Sequence, residues 1–157
     1  MLRLHGFGQT RWTRPYWLLR ELDVPFEAVK ASPLQGDTRT PQFLAKNPFG
    51  KVPVLEDGAL TLFESGAICL YLAERYGNGK WLPQTPEERA RCVQWVTFAG
   101  GDLEAPLWRI VKHTLILPEP ARIAADVELA KKEFSRLAGA LENTLGDVAV
   151  GSSFSVA

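Results

Sequence analysis

The chain has 157 residues, enough for one domain or two small ones, and 46% of them are hydrophobic, which is ample material for a core. Eighteen basic residues balance eighteen acidic ones, so no long-range electric field favours nucleic acid or an anionic membrane as a partner. No apolar run is long enough to span a bilayer, and we expect no secretion signal in the first residues, which lack an apolar core.

The cysteines and histidines also restrict the possible classes of protein. Cys69 and Cys92 each fall in a helical pattern and neither belongs to a CxxC motif. Two such residues predict buried thiols in a reducing cytoplasm rather than a disulfide. His5 and His113 have no neighbouring ligands at metal-binding spacing, so we expect no metal site and assign them no role.

The beginning of the chain predicts a strand, a helix and a second strand. Residues 2–5 alternate apolar and polar side chains, as a short strand does. A glycine-containing loop follows, and then a helix over residues 14–22, with Thr13 as its N-cap and Asp23 in a positive-φ terminating position. Residues 26–29 form the next predicted strand and complete a short β-α-β unit.

A polar loop and a short helix come next. Residues 31–39 are polar and include a proline and a glycine, so they predict a surface loop. Thr40 and Pro41 are a typical helix start, with threonine at the cap and proline at the first helical position, and this helix should reach Lys46.

Residues 47–77 predict a β-hairpin followed by a helix. The predicted strands cover residues 52–56 and 60–63, and Asp57 and Gly58 form the turn because both tolerate a positive φ. The helix begins at Glu64 and Ser65, and Ser65 is its N-cap or a first-turn residue. It ends at Gly77, which suits the position that closes a helix.

Two pairs of residues in this stretch indicate a binding site. Val52 and Pro53 place a proline, which cannot donate a ladder hydrogen bond, at the head of a strand. Glu64 and Ser65 place a carboxylate and a hydroxyl at a helix N-terminus, where backbone N–H groups can hold an anion. Together they offer an extended backbone, an acid for an amine and donors for a carboxylate, which is what a small zwitterionic peptide needs.

These two signatures, in this order and spacing, resemble the glutathione-binding half of the glutathione S-transferase family. The resemblance covers the whole chain, more weakly in its second half. It implies that the Val52 main chain pairs with the cysteinyl part of glutathione, as an added strand would. It also implies that Pro53 is a cis-proline and that Glu64 and Ser65 bind the γ-glutamyl amine and carboxylate.

The same resemblance implies a fold and a domain organisation. Residues 1–77 would form a thioredoxin-like glutathione-binding domain with the order β-α-β-α-β-β-α, an α/β fold. Residues 78–84, rich in glycine, asparagine and proline, would be a linker, and residues 85–157 would belong to an all-α domain. The family also implies a homodimer formed through the first domain and the helix after Glu88. The sequence itself offers the apolar side chains of Phe49, Trp95 and Phe98 as candidate interface residues.

A transferase of this kind must hold the glutathione thiol as a thiolate, although a free thiol has a pKa of about 8.5. In the serine-type members a hydroxyl after the first strand donates to the sulfur, and Thr10 occupies that position here. Thr13 is an alternative hydroxyl, although its position suits a helix cap. The absence of a cysteine at residue 10 argues against the thiol-transfer branch, so the expected reaction is addition of the thiolate to a small apolar electrophile.

Other site residues are less specific. Lys51 is a candidate for the glycyl carboxylate of glutathione, with a solvated surface lysine as the alternative. Phe7, Trp12 and Trp108 are candidates for the pocket of the second substrate, and core packing is the alternative for each. Arg11 and Arg14 are interpreted as surface charges.

The second half of the sequence predicts helices. Thr85, Pro86 and Glu88 form a capping-box start. The helix that follows runs toward Lys112 and is interrupted at the glycine pair 100–101 and at Pro106. A second amphipathic helix covers residues 121–145, where apolar residues recur every three or four positions.

The last seven residues resemble the segment that leads into the buried central helix of the family's helical domain. Ser155 would cap that helix, and its capping-box partner would fall one residue beyond Ala157. We therefore expect an incomplete helical domain in which glutathione binding survives better than conjugation. A different function also stays open, because domains of this family serve as non-catalytic binding or assembly modules, and threonine instead of serine at residue 10 favours that alternative.

Overall fold

The computed structural model describes residues 1–146, 148–151 and 154–157. Ser152 and Ser153, which belong to the segment compared with a helix start, lie outside the described residues. The chain forms two compact units, Met1–Gln84 with Val156 and Thr85–Ser155 with Ala157.

The first unit contains a four-stranded sheet in the order β2-β1-β3-β4. Its strands are β1 (Leu2–Gly6), β2 (Glu27–Lys30), β3 (Val54–Asp57) and β4 (Leu60–Phe63). Strand β1 pairs in parallel with β2 and antiparallel with β3, which pairs antiparallel with β4. The helices are α1 (Thr13–Glu21), α2 (Pro41–Leu44) and α3 (Ser65–Tyr76). This is the predicted order β-α-β-α-β-β-α, so the thioredoxin-like fold is confirmed.

Alternation along the strands produces two apolar clusters in this unit. Helices α1 and α3 pack together with one face of the sheet, and the buried residues there are Leu2, Leu4, Leu18, Leu19, Leu55, Ile68, Cys69 and Leu72. The neighbouring residue Val54 belongs to a second cluster, with Phe43 of α2 and Ala31. Successive residues of a strand point to opposite faces, so one strand contributes to both clusters.

The hairpin turn lies one residue later than predicted. Asp57 is still paired with Leu60 in the ladder, and the turn residues are Gly58 and Ala59, of which Gly58 has a φ of 59°. Asp57 remains in the strand because its carboxylate accepts hydrogen bonds from Tyr71, at 2.8 Å, and Tyr76, at 2.5 Å, both on α3. These bonds, that of Tyr76 first, lower the pKa of Asp57 below its usual range.

An ion-pair network connects the end of α2 to the sheet. The buried His5 of β1 hydrogen-bonds to Glu56 of β3, and Lys46 donates to the same carboxylate oxygen at 2.8 Å. The hydrogen bond from Lys46 is the largest contribution that lowers the pKa of Glu56. His5, to which the sequence assigned no role, therefore helps to fix the segment that follows α2.

The loop over residues 31–39 is less exposed than predicted. It forms two short 3₁₀ turns, Pro33–Gln35 and Asp37–Arg39, and Thr38 is fully buried. The Asp37 carboxylate accepts a hydrogen bond from the Ser32 backbone N–H at 2.9 Å, which folds the loop back on itself. Such a contact has no periodic signal in the sequence.

The second unit is helical, with α4 (Pro86–Phe98), α5 (Glu104–Val111) and α6 (Ala124–Glu142). Thr85 caps α4 by accepting from the Glu88 backbone N–H at 3.3 Å, as predicted. The interruption predicted at the glycine pair is a π-helical turn over Ala99–Leu103. The interruption predicted at Pro106 was wrong, because Pro106 lies in the first turn of α5, where a proline is tolerated. Helix α5 packs against α6, and Arg109 of α5 donates to Asp126 and Glu133.

The two cysteines of this chain, Cys69 and Cys92, are buried free thiols, as predicted. Within the described ranges, no helix combines the length and the apolar character needed to cross a bilayer.

Candidate functional site

One row of residues across the sheet determines where the predicted site residues lie. His5 of β1 is the register partner of Val54 of β3, and Val54 is the register partner of Phe63 of β4. The chain leaves β1 just after His5, enters β3 just before Val54 and leaves β4 just after Phe63. The loop that contains Thr10, the Val52-Pro53 bond and the start of α3 therefore all lie at the same end of the sheet.

The Val52-Pro53 peptide bond is cis, as predicted. Val52 precedes the strand ladder, which begins at Val54, and Pro53 is buried. Asn47 supports this turn, because its side-chain amide donates to the Lys51 carbonyl at 2.8 Å and its carbonyl oxygen accepts from the Phe49 N–H at 3.1 Å. Val52 thus lies just outside the regular sheet, next to a turn that the Asn47 side chain supports.

Helix α3 begins with an unusual backbone conformation. Glu64, at the N-cap, has φ 71° and ψ 114°, a region that a residue with a Cβ adopts at a cost. Its side chain is exposed and makes no capping hydrogen bond within the described part of the chain. Ser65 is the first helical residue and is buried, so it is a first-turn residue and not the N-cap. The first N–H groups of α3 lie beside Glu64 and, as at any helix start, have no partner within the helix itself.

Arg14 makes a contact at the start of α3 that the sequence analysis missed. Its guanidinium Nη1 donates to the Ser65 hydroxyl oxygen at 3.2 Å, although the two residues are 51 positions apart. Arg14 is exposed, as expected of a surface charge, and its contact with Ser65 adds a partner that the sequence did not indicate. No local pattern in the sequence predicts a contact between the first turns of α1 and α3, so only the fold reveals it.

Thr10 lies in the loop between β1 and α1 and makes local hydrogen bonds. Its hydroxyl donates to the Phe7 carbonyl at 2.7 Å and accepts from the Trp12 N–H at 3.3 Å. Thr13 is the first residue of α1, and its hydroxyl donates to the Thr10 carbonyl at 2.9 Å. The N-cap of α1 is Trp12, so the prediction that Thr13 caps this helix was wrong. The Thr13 hydroxyl instead bonds to a carbonyl in the turn that precedes α1.

The remaining candidates have different surroundings. Lys51 is exposed. Trp12 stacks on Tyr16 with 4.4 Å between ring centroids, and its indole N–H donates to the Leu4 carbonyl at 3.4 Å, so it packs against the core. Phe7 is half-buried in the loop after β1, whereas Trp108 lies on α5 in the other unit and is 45% exposed. The structure thus places Phe7 and Trp12 in one unit and Trp108 in the other.

His113 also has partners that the sequence did not indicate. Its Nδ1 accepts from the Ile123 backbone N–H at 3.2 Å, just before α6, and its Nε2 lies 3.4 Å from the Asp126 carboxylate. It helps to fix the start of α6, which is a structural role. Among the described residues, no group of three or more potential metal ligands occurs.

Comparisons with known proteins identify the family. The family model described as "Glutathione S-transferase, N-terminal domain" matches residues 2–74. Glutathione S-transferase F11 of Arabidopsis thaliana is 33% identical over 147 residues, which are 88% of this chain and 68% of that protein. The chain belongs to the glutathione S-transferase family.

The match to this family extends into the helical unit. A theta class glutathione S-transferase from Xanthomonas axonopodis pv. citri, solved with glutathione bound, superimposes with a TM-score of 0.86 at 28% identity. The alignment covers 99% of this chain and 76% of that one. The thioredoxin-like sheet and the helices that follow are therefore those of a glutathione S-transferase.

Two further relatives are longer than this chain, and the alignment covers only part of each. Glutathione S-transferase F10 of Arabidopsis thaliana is 36% identical over 126 residues, which are 79% of this chain but 58% of that protein. Elongation factor 1-gamma of Rattus norvegicus is 41% identical over 108 residues, which are 68% of this chain and 23% of that protein. The chain thus spans less than two thirds of the length of both relatives.

Proposed function

We propose that this glutathione S-transferase binds glutathione at the end of its sheet and adds the thiolate to a small apolar electrophile. The proposal rests on the strand register, in which His5 pairs with Val54 and Val54 pairs with Phe63. This register places the loop after β1, the Val52-Pro53 bond and the start of α3 at the same end of the sheet. The structures of family members that hold glutathione support the choice of ligand.

Each part of the tripeptide has a matching group. The Val52 backbone, outside the ladder and followed by the cis Pro53, would pair with the cysteinyl residue as an added strand. The Glu64 carboxylate would bind the γ-glutamyl amine, and Ser65 with the first N–H groups of α3 would bind its carboxylate. The exposed Lys51 would contribute its charge to the glycyl carboxylate.

The chemical step needs the thiolate and an apolar pocket. Thr10 would donate a hydrogen bond to the sulfur, which favours the charged form and lowers the thiol pKa. Phe7 follows the same strand as Thr10 and would contact the electrophile, whereas the contributions of Trp12 and Trp108 to this pocket stay predictions. The thiolate would then attack the electrophilic carbon and form a C–S bond, as expected from a family member without a cysteine at residue 10. An unsaturated carbonyl would take up a proton in this step, and an aryl halide would release its halide ion.

A second candidate function is a binding or assembly module without turnover. Two observations favour it: the similarity to elongation factor 1-gamma, and the Thr10 hydroxyl, which already donates to the Phe7 carbonyl. In this case glutathione would bind while its thiol stayed protonated.

The experiment that separates these functions has two measurements on the same preparation. Glutathione affinity is measured by calorimetry, and conjugation is followed spectroscopically with aryl halides and unsaturated carbonyls. We expect binding together with turnover of at least one electrophile. Binding without turnover would support the module, and no binding would contradict both functions.

We also propose a homodimer in the cytoplasm with a role in detoxification. The two cysteines are free and buried, as in proteins of a reducing compartment. Candidate interface residues are Phe49, which is 61% exposed, and the T-shaped pair of Trp95 and Phe98, which lines a cleft of about 660 Å³. We expect light scattering at micromolar concentration to give twice the chain mass, and a monomer would contradict the dimer.

A further inference from the structure

The short helix α2 depends on the sheet for its position. It has four residues, and a helix of that length is not stable in water by itself. Phe43 connects it to the sheet by burial in an apolar cluster with Ala31 and Val54. Just after the helix, Lys46 donates to the Glu56 carboxylate at 2.8 Å. The apolar contact is non-directional, whereas the charged hydrogen bond fixes a distance and a direction.

Glu56 is a rigid anchor for this ion pair. It lies in β3, an inner strand of the sheet, and its register partners are Arg3 on β1 and Thr61 on β4. The buried His5 bonds to the same carboxylate oxygen as Lys46. An ionised carboxylate only accepts, so the His5 Nε2 donates and the carboxylate is held from two sides. The distance of Lys46 from the sheet is therefore fixed.

The residue after Lys46 orients the backbone of Val52. Asn47 is only 2% exposed, and its side-chain amide donates to the Lys51 carbonyl at 2.8 Å. The Lys51 carbonyl and the Val52 N–H belong to one planar trans peptide, so they point in opposite directions. The bond from Asn47 to the carbonyl thus also fixes the direction of the Val52 N–H. A displacement of Asn47 would turn this peptide plane.

We propose that Lys46 is a positioning residue for the cysteinyl part of glutathione, because its ion pair with Glu56 holds Asn47 and thereby directs the Val52 N–H at the cysteinyl carbonyl. This inference rests on the proposed function and deepens it by assigning the residue that controls one contact of the tripeptide. A purely structural tie between α2 and the sheet is the alternative, and the two roles differ in what they predict for different ligands.

The test compares two ligands. One is glutathione, and the other is its analogue in which a trans carbon–carbon double bond replaces the amide between cysteine and glycine. The analogue keeps the thiol, both end groups and the extended shape, but it has no acceptor for the Val52 N–H. Calorimetry on Lys46→Met is expected to show glutathione binding weakened about 3- to 10-fold, as loss of one hydrogen bond does. Binding of the analogue should change less than about twofold.

Two further variants complete this comparison. Lys46→Arg keeps a cation that can pair with Glu56, so it should recover most of the glutathione affinity. Glu27→Gln is the matched control, because it removes another ion pair from the same face of the sheet, that of Glu27 with Arg3, which also has an N···O distance of 2.8 Å. This pair does not lead to the turn before Val52, so the control should bind both ligands like the parent chain.

A double-variant cycle provides the second measurement. If Lys46 acts through Asn47, the effect of Lys46→Met on glutathione affinity should be much smaller in a chain that already carries Asn47→Ala. Additive effects of the two substitutions would overturn the proposal. Equal weakening of both ligands in Lys46→Met, together with a lower melting temperature, would overturn it in favour of a structural tie.

The outcomes separate this inference from the proposed function. If the parent chain binds neither ligand, both are refuted. If the parent chain binds glutathione and Lys46→Met binds it equally well, only the role of Lys46 is refuted. Equal binding of the two ligands by the parent chain would refute the Val52 contact and the role of Lys46, while glutathione binding would stand. If Lys46→Met or Asn47→Ala fails to fold, Glu56→Gln decides the question, since it keeps the shape of the side chain and should weaken glutathione binding more than analogue binding.

Discussion

Glutathione binding is expected to weaken about 10- to 50-fold when Glu64 is replaced by glutamine. This substitution keeps the shape of the side chain but removes the charge that would pair with the γ-glutamyl ammonium. A hydrogen bond to a charged group contributes about 1.5–3 kcal/mol. The exposure of Glu64 places the expected loss in the lower half of this range, which corresponds to the stated change in affinity. Calorimetric titration with glutathione is the measurement.

A second substitution at the same residue separates binding from folding. Glu64 has a φ of 71°, which glycine adopts without the penalty that a Cβ imposes. Glu64→Gly is therefore expected to raise the free energy of unfolding by about 1 kcal/mol while glutathione affinity falls. A gain in stability together with a loss of affinity would show that the strained conformation of Glu64 serves ligand binding and not folding.

The control for both variants is Glu87→Gln, which removes an exposed carboxylate from the first turn of α4. It should bind glutathione like the parent chain. Unchanged affinity in Glu64→Gln would show that the amine of the ligand is bound by another group and would remove Glu64 from the site.

The parts of the site that the sequence predicted correctly depend on short-range rules. The cis Val52-Pro53 bond and the start of α3 next to Glu64 follow from neighbouring residues and from a known spacing between two signatures. The cap at Thr85 is equally local, since threonine accepts from an N–H three residues later. Such features can be predicted from the sequence because the tertiary contacts of the fold favour the same local conformation as the neighbouring residues do.

The parts that were missed depend on residues distant in sequence. Arg14 meets Ser65 only because α1 and α3 pack against the same face of the sheet. His5 meets Glu56 because an antiparallel register brings the two strands together, and Lys46 joins them from the end of α2. An arginine or a histidine has no preferred partner in a sequence, so its contacts follow from the fold.

The shift of the hairpin turn has the same cause. Asp57 and Gly58 are good turn residues by local preference, but Tyr71 and Tyr76 donate to the Asp57 carboxylate and hold it in the strand. Two hydrogen bonds to a charged group are strong enough to outweigh a local preference for the turn position. Tertiary contacts therefore decided the register.

The thiol pKa of bound glutathione is expected to rise by about 0.5–1.5 units when Thr10 is replaced by alanine. The Thr10 hydroxyl donates to the Phe7 carbonyl at 2.7 Å, and that bond must be exchanged for one to the sulfur. A neutral hydrogen bond contributes about 1 kcal/mol and one to a charged group about 1.5–3 kcal/mol, so the exchange favours the thiolate by about 0.5–2 kcal/mol. One pKa unit corresponds to 1.36 kcal/mol, which gives the expected shift.

The sign of this effect determines the pH dependence. A donor to the sulfur stabilises the charged form and lowers the thiol pKa, so its removal moves the rise of the conjugation rate to higher pH. At neutral pH the thiolate fraction in Thr10→Ala should fall about 3- to 30-fold, whereas at high pH the two rates should converge. Glutathione affinity should change little, because the hydroxyl interacts with the sulfur and not with the peptide backbone.

The shape of the side chain provides a further comparison. Thr10→Ser keeps the hydroxyl and removes the methyl group that restricts χ1, so the exchange from Phe7 to the sulfur becomes easier. We expect its thiol pKa to be equal to or lower than that of the parent chain, and its conjugation rate to be equal or higher. Thr13→Ala is the matched control, since the Thr13 hydroxyl donates to the Thr10 carbonyl and not toward the ligand.

The measurement is the thiolate ultraviolet absorbance of bound glutathione as a function of pH, together with conjugation rates over the same range. Identical pH profiles in the parent chain and Thr10→Ala would show that Thr10 does not interact with the sulfur. A second outcome is that the thiol pKa of bound glutathione stays near the free value of about 8.5, both in the parent chain and in Thr10→Ser. That result would favour the binding module. A lower pKa in the parent chain that rises in Thr10→Ala, while Thr13→Ala is unchanged, is the result that a threonine-assisted transferase requires.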